Sequence, residues 1–123
     1  MTARKSGIKR QITDVNELLR SCVETLGEKK SEQTVVLKLS DISSCFDYFI
    51  ITTGSSSIHC RAIAKDIMRR MSKQGCTARS KPDLGSSWII LDYDDIILHI
   101  FTEDTRSYYQ LERLWGDAAR VSF

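Results

Sequence analysis

The stretch Trp88-Ile89-Ile90-Leu91-Asp92-Tyr93-Asp94-Asp95-Ile96-Ile97-Leu98-His99-Ile100-Phe101 decides the fold. Two runs rich in β-branched and aromatic residues flank a cluster of aspartates, the pattern of a hairpin. Strands over 87–92 and 95–102, with Tyr93-Asp94 as a two-residue turn, fix the register. Asp92 then faces Asp95, Ile90 faces Ile97 and Trp88 faces His99. On the opposite face Leu91 meets Ile96 and Ile89 meets Leu98, with Ile100 beyond. That second face is wholly aliphatic and is predicted to be core. The first carries Trp88, Asp92, Asp95, His99 and Phe101. Like charges directly opposite each other destabilise a sheet. Keeping Asp92 against Asp95 therefore points either to a task outside the fold or to a turn that water accommodates.

Outward from the hairpin, apolar periodicity predicts three helices. Val15, Leu18, Leu19, Cys22, Val23 and Leu26 share one stripe, opened by Asp14 with Glu17 and stopped at Gly27. A second helix over 58–73 buries Cys60, Ile63, Ala64, Ile67 and Met71, and Gly75 closes it. A third follows Asp104 or Thr105, with Tyr108, Leu111, Leu114, Trp115 and Ala118 on its apolar face. Two further strands are predicted at 35–39 and 48–53, the latter apolar on both faces. The order is α-β-β-α-β-β-α. A single α/β domain with a four-stranded mixed sheet packed by helices follows. Residues 1–12 form a basic tail, 13–119 the domain and 120–123 a C-terminal tail.

With 123 residues, 41% of them apolar and 28% charged, the chain is globular and needs no disulfide staple. No apolar run approaches the ~18 residues of a membrane span. The four cysteines have no C-x-x-C spacing and only two histidines beside them. They are expected to be reduced thiols of a cytosolic protein, with no metal site. Net charge is +2, but its distribution is uneven. Seven bases and one acid lie between Arg61 and Lys81; six acids and no base lie between Pro82 and Thr105. The second helix exposes Arg61, Lys65, Arg69 and Lys73 at steps of four, either a solvated face or a contact for RNA phosphates.

Catalytic constellations are weak. Gly54-Ser55 after a strand, with Asp92-Tyr93-Asp94 elsewhere, has the spacing that a minimal nucleotidyltransferase needs to hold magnesium against a nucleoside triphosphate. The turn position of Asp94, and a helix-capping role for the serine, argue against it. A triad of Ser55, His99 and Asp92 lacks a nucleophile elbow, and His99 sits in an aliphatic strand. No catalytic, cofactor-binding or metal residue is assigned, and the chain is not expected to be an enzyme.

Three motifs, in order, carry a family resemblance: Asp47-Tyr48-Phe49-Ile50-Ile51-Thr52-Thr53-Gly54-Ser55-Ser56, the hairpin itself, and Arg106-Ser107-Tyr108-Tyr109-Gln110-Leu111-Glu112-Arg113-Leu114-Trp115. Together with Ile63-Ala64 and Gly75 they resemble the Iojap/RsfS family of ribosomal silencing factors over about Asp14 to Ala118. The resemblance implies a nucleotidyltransferase-like core without catalysis. It further implies a cytoplasmic translation repressor that binds the large ribosomal subunit through ribosomal protein L-fourteen, blocks joining of the small subunit when nutrients are short, and can form a homodimer off the ribosome. Asp94 stands where the family has glycine in a D-x-G-D run, and Pro82-Asp83 where it has Glu-Gly. Ribosomal proteins are generally basic, so the acidic segment suits docking. Trp88, Asp92, Asp95 and His99 are the expected partner-binding residues, with Tyr109 and Glu112 next. Arg61, Lys65 and Arg69 are the candidates for ribosomal RNA.

Overall fold

The computed structural model describes residues 15–44 and 46–122. The basic tail 1–12, the Asp14 cap and Cys45 lie outside the described residues. Along the chain come α1 (Val15–Glu28), β1 (Glu32–Lys38), β2 (Tyr48–Gly54), α2 (Ser57–Lys73), β3 (Trp88–Asp92), β4 (Ile96–Thr102), α3 (Glu103–Tyr109), α4 (Leu111–Leu114) and β5 (Ala119–Val121).

Five strands form one mixed sheet in the order β3-β4-β2-β1-β5. At its centre β2 and β4 run parallel, Tyr48 beside Ile96 through Gly54 beside Thr102. The other neighbours are antiparallel. The central pair is buried on both faces, which is why the apolar residues of neither strand alternate with exposed polar ones; the polar members Thr52, Thr53 and His99 are themselves buried. One face packs α1 and α2 against Ile50, Ile89, Leu91, Ile96, Leu98 and Ile100, all fully buried. Each such side chain contributes about 1.5–3 kcal/mol by leaving water. The other face gathers Leu37, Leu39, Phe49, Ile51, Ile97, Phe101 and Leu111, with Trp88 and Trp115 against them.

The expected four-stranded, nucleotidyltransferase-like α-β-β-α-β-β-α core is corrected in its strand count and in its last helix. A fifth strand, β5, pairs with β1 where a tail was expected, Leu37 beside Arg120. Three residues carry too short a pattern to read as a strand. The last helix is broken in two, because Gln110 adopts a left-handed conformation (φ 50°) between α3 and α4. Tyr108 and Leu114, expected on its apolar face, are exposed.

The hairpin register also slips by two residues. Asp92 pairs with Ile97, Ile90 with His99 and Trp88 with Phe101. Tyr93 N–H donates to Ile96 C=O at 2.9 Å, so Asp94-Asp95 is the turn. Asp95 N–H donates to Tyr93 C=O at 2.8 Å across Asp94, whose φ is 69°. A slip of two preserves which face each side chain occupies, so the aliphatic face is core as expected, but Asp92 no longer opposes Asp95.

Helix ends follow local chemistry. Ser56 caps α2, its Oγ accepting from His59 N–H at 3.1 Å. Gly75 (φ 83°) closes α2, with Cys76 N–H donating to Met71 C=O at 2.9 Å. The α1 stop is not Gly27 but Lys30. There φ is 61°, Ser31 N–H reaches Leu26 C=O at 3.0 Å and Lys30 N–H reaches Gly27 C=O at 3.1 Å. His59, on α2, ties the two helical ends together: its Nδ1 accepts from Ser55 N–H at 2.9 Å, and its Nε2 donates to Lys29 C=O at 2.7 Å.

Candidate functional site

The edge strand β3 places Trp88 and Ile90, two residues apart, on the sheet face opposite α1 and α2. Trp88 Nε1–H donates to His99 Nδ1 at 3.0 Å. Its ring packs at 4.9 Å centroid distance against both Phe101 and Tyr109. Tyr108 meets Tyr109 edge-on at 5.0 Å. From this cluster Ile90 is 44% exposed, Tyr109 51% and Tyr108 80%. The result is an apolar rim grown from a buried aromatic base, the make-up of an interaction surface rather than of scattered surface residues.

His99 belongs to that base. It is buried, with Phe49 edge-on at 4.5 Å. Burial pushes its imidazole down to about 4, so the ring is neutral. Accepting from Trp88 at Nδ1 puts the proton on Nε2, which has no partner among the described residues.

The expected carboxylates are not free. Asp92 Oδ1 accepts from Asp94 N–H at 2.9 Å, building the turn. The Asp94 carboxylate is buried beside Arg79, Oδ1 to Nε 3.2 Å. Asp95 is buried, and its carbonyl accepts from Asp47 N–H at 3.2 Å and Tyr48 N–H at 2.9 Å, joining the hairpin to β2. Asp92 and Asp94 thus do not present a clear pair of oxygens to a metal. Among the described residues no three His, Cys, Asp or Glu side chains converge on one point.

Glu112, also expected at the surface, clamps Arg106 instead. Arg106 Nε and Nη2 donate to its two carboxylate oxygens at 3.0 and 2.9 Å. Nη1 of the same arginine donates to Gln33 C=O at 2.7 Å and Thr53 Oγ1 at 2.8 Å. The hydrogen bond from Arg106 holds the Glu112 carboxyl below the usual carboxylate range. Arg61, Lys65 and Arg69 lie on α2, across the sheet from Trp88. Arg69 pairs with the buried Asp66, to which Arg70 also contributes at 3.5 Å. The structure therefore joins Trp88, His99 and Tyr109, sets Asp92 and Asp95 into the turn, and separates all of them from the basic stripe. Sequence reasoning missed Ile90 and Tyr108. Alternation with Trp88 was the available signal for Ile90, whereas Tyr108 was assigned to an unbroken helix.

Among the described residues, no helix is long and apolar enough to cross a membrane. The family model described as ribosomal silencing factor during starvation matches residues 12–123. A ribosomal silencing factor RsfS of Halalkalibacterium halodurans is 37% identical over 106 residues, covering 85% of this chain and 91% of the relative. The RsfS of Bacillus subtilis is 33% identical, covering 82% and 86%. A crystal structure from Bacillus halodurans superposes with a TM-score of 0.76 at 33% identity, covering 88% of this chain and 99% of that one. One from Chromobacterium violaceum gives 0.79 at 26% identity, covering 90% and 92%. With the fold shared across its length and the family model spanning nearly all of the sequence, this chain belongs to the RsfS family of ribosomal silencing factors.

Proposed function

We propose that the protein is a translation repressor that docks on the large ribosomal subunit through ribosomal protein L-fourteen and blocks joining of the small subunit under nutrient limitation. It acts in the cytoplasm and without catalysis. The observation that carries this reading is the exposed apolar rim of Ile90, Tyr108 and Tyr109 on the Trp88–His99 base. It lies within or beside a segment, Pro82 to Thr105, whose exposed charged side chains, Asp83, Glu103 and Asp104, are all acidic. An apolar centre with an acidic surround suits a basic protein partner. Trp88 is the anchor and Tyr109 its lid. Asp92, Asp95, His99 and Glu112 support that surface from within rather than reach the partner. A homodimer off the ribosome would cover the same rim. If ribosomal RNA is touched, Arg61 and Lys65 are the residues for it, since Arg69 is engaged by Asp66.

Co-sedimentation with free large subunits, followed by titration against purified L-fourteen, tests the reading. Tyr109→Ala and Ile90→Lys alter exposed side chains and leave the core intact; Trp88→Ala removes the anchor. Loss of an interface anchor costs about 2 kcal/mol or more, roughly thirtyfold in affinity. Wild-type affinity in folded Tyr109→Ala and Ile90→Lys variants would place the interface elsewhere.

A further inference from the structure

A concavity lies away from the aromatic rim, between the C-terminal half of α2, the loop that leaves it, and the hairpin turn. Its volume is about 440 Å³. Cys76 and Tyr93, both buried, form its floor, Met68 and Pro82 its walls, and Arg79 and Lys81 its basic members. None of the described residues that line it is acidic. Arg79 is fixed in place twice, through its ion pair with Asp94 and through its N–H, which donates to Asp92 C=O at 2.8 Å. The left-handed Gly75 turns the chain so that Cys76 faces inward while Lys81 stays exposed. A mostly apolar cavity of this size with a few polar groups at its margin is the ordinary form of a small-molecule site. The two charged groups that line it, Arg79 and Lys81, are both basic, and Lys81, exposed at the margin, selects an anion.

We infer that this cavity binds a small amphipathic anion: an aliphatic or aromatic body seated on Cys76, Tyr93 and Met68, with a carboxylate held by Lys81 and Arg79. The apolar body supplies burial. The carboxylate gains charge-assisted hydrogen bonds at the rim, where it keeps part of its hydration. The site rests on its own lining and is independent of how the aromatic rim is used.

The probes are sodium octanoate and its uncharged analogue 1-octanol, titrated into the full-length, isotope-labelled protein while amide resonances are followed by NMR. Octanoate is expected to give saturable shifts at residues 76–81 and at Tyr93, with octanol at least about tenfold weaker, the scale of one charge-assisted contact. Lys81→Glu, at an exposed position, should weaken octanoate about tenfold and leave octanol unchanged. Ser72→Phe, which fills the cavity from its exposed wall, should abolish both. The proposal fails if neither probe shifts this loop saturably, if octanol binds as well as octanoate, if Lys81→Glu leaves octanoate affinity at the wild-type value, or if the shifts centre on Trp88 and Tyr109.

Discussion

Replacing Arg106 with methionine removes one guanidinium that joins three elements. Its four hydrogen bonds reach Gln33 in the irregular start of β1, Thr53 in β2 and both oxygens of Glu112 in α4. Methionine preserves the apolar stem and takes away every donor. A backbone carbonyl, a buried hydroxyl and a carboxylate would then lose their partner together. Breaking a buried ion pair from one side costs about 3–5 kcal/mol. The Glu112 side chain is 26% exposed, so water recovers part of its hydration and the expected loss is about 3 kcal/mol, at the lower end of that range. Arg106→Lys keeps the charge but cannot form the fork, and should lose about half as much. Urea unfolding followed by circular dichroism reads both. With a slope of about 1.5–2 kcal/mol per molar, the methionine variant should unfold roughly 1.5–2 M earlier. A methionine loss below about 1 kcal/mol, or a lysine variant matching wild type, would refute the reasoning and return Glu112 to the surface as a docking residue. Acid gives a second readout. Because the folded Glu112 carboxyl sits below its unfolded value, its stabilisation is present above the unfolded value and lost as pH falls through the folded one. Glu112→Gln should lack that acid limb.

Lys30→Gly should stabilise the protein by up to about 1 kcal/mol, since glycine reaches φ 61° without a Cβ penalty; a fall in melting temperature would contradict the left-handed stop of α1. Gly54→Ala should destabilise by about 1–3 kcal/mol, because a Cβ there would lie 2.6 Å from Cys60 Sγ, and an unchanged urea midpoint would mean that β2 and α2 are not so close. His99 titrates with the opposite partner state to a carboxylate: it is neutral in the fold, at about 4, against 6.5 when free. Its stability is therefore complete above pH 6.5 and drains as pH falls toward 4, by about 3 kcal/mol in all. A pH series of urea midpoints should show this loss beginning above the carboxylate range, and His99→Gln should flatten that part of the curve.

The aliphatic face of the hairpin was legible because alternation fixes parity, and parity survived the two-residue slip in register. What alternation cannot fix is which pair of aspartates turns. That is settled by Asp92 accepting from Asp94 N–H and by Arg79 reaching Asp94 from a loop. The break at Gln110 was invisible for a similar reason. Leu111 and Trp115 continue a helical period, and only the inward pull of Arg106 on Gln33, Thr53 and Glu112, contacts distant in sequence, shows why the chain leaves it. Of the candidate surface, Trp88 and Tyr109 announced themselves by residue type, whereas Tyr108 was hidden by the expectation of one unbroken helix. The acidic members misled because a carboxylate in a sequence does not reveal whether it faces water or a neighbouring amide.

The parallel seam between β2 and β4 bears on the order in which the chain can fold during synthesis. Antiparallel β1–β2 closes over a short connection, but the other edge of β2, with its backbone N–H and C=O groups, has no neighbour until α2 and the hairpin have both emerged. Because the partner of Tyr48 is Ile96, the seam is a long-range contact whose closure entropy must be met before it yields any stabilisation. A nascent chain halted before β4 would expose Phe49, Ile50 and Ile51 on an open strand edge, a template for pairing with another such chain. Escape of β4 from the exit tunnel is therefore the event that turns an aggregation-prone intermediate into a native sheet.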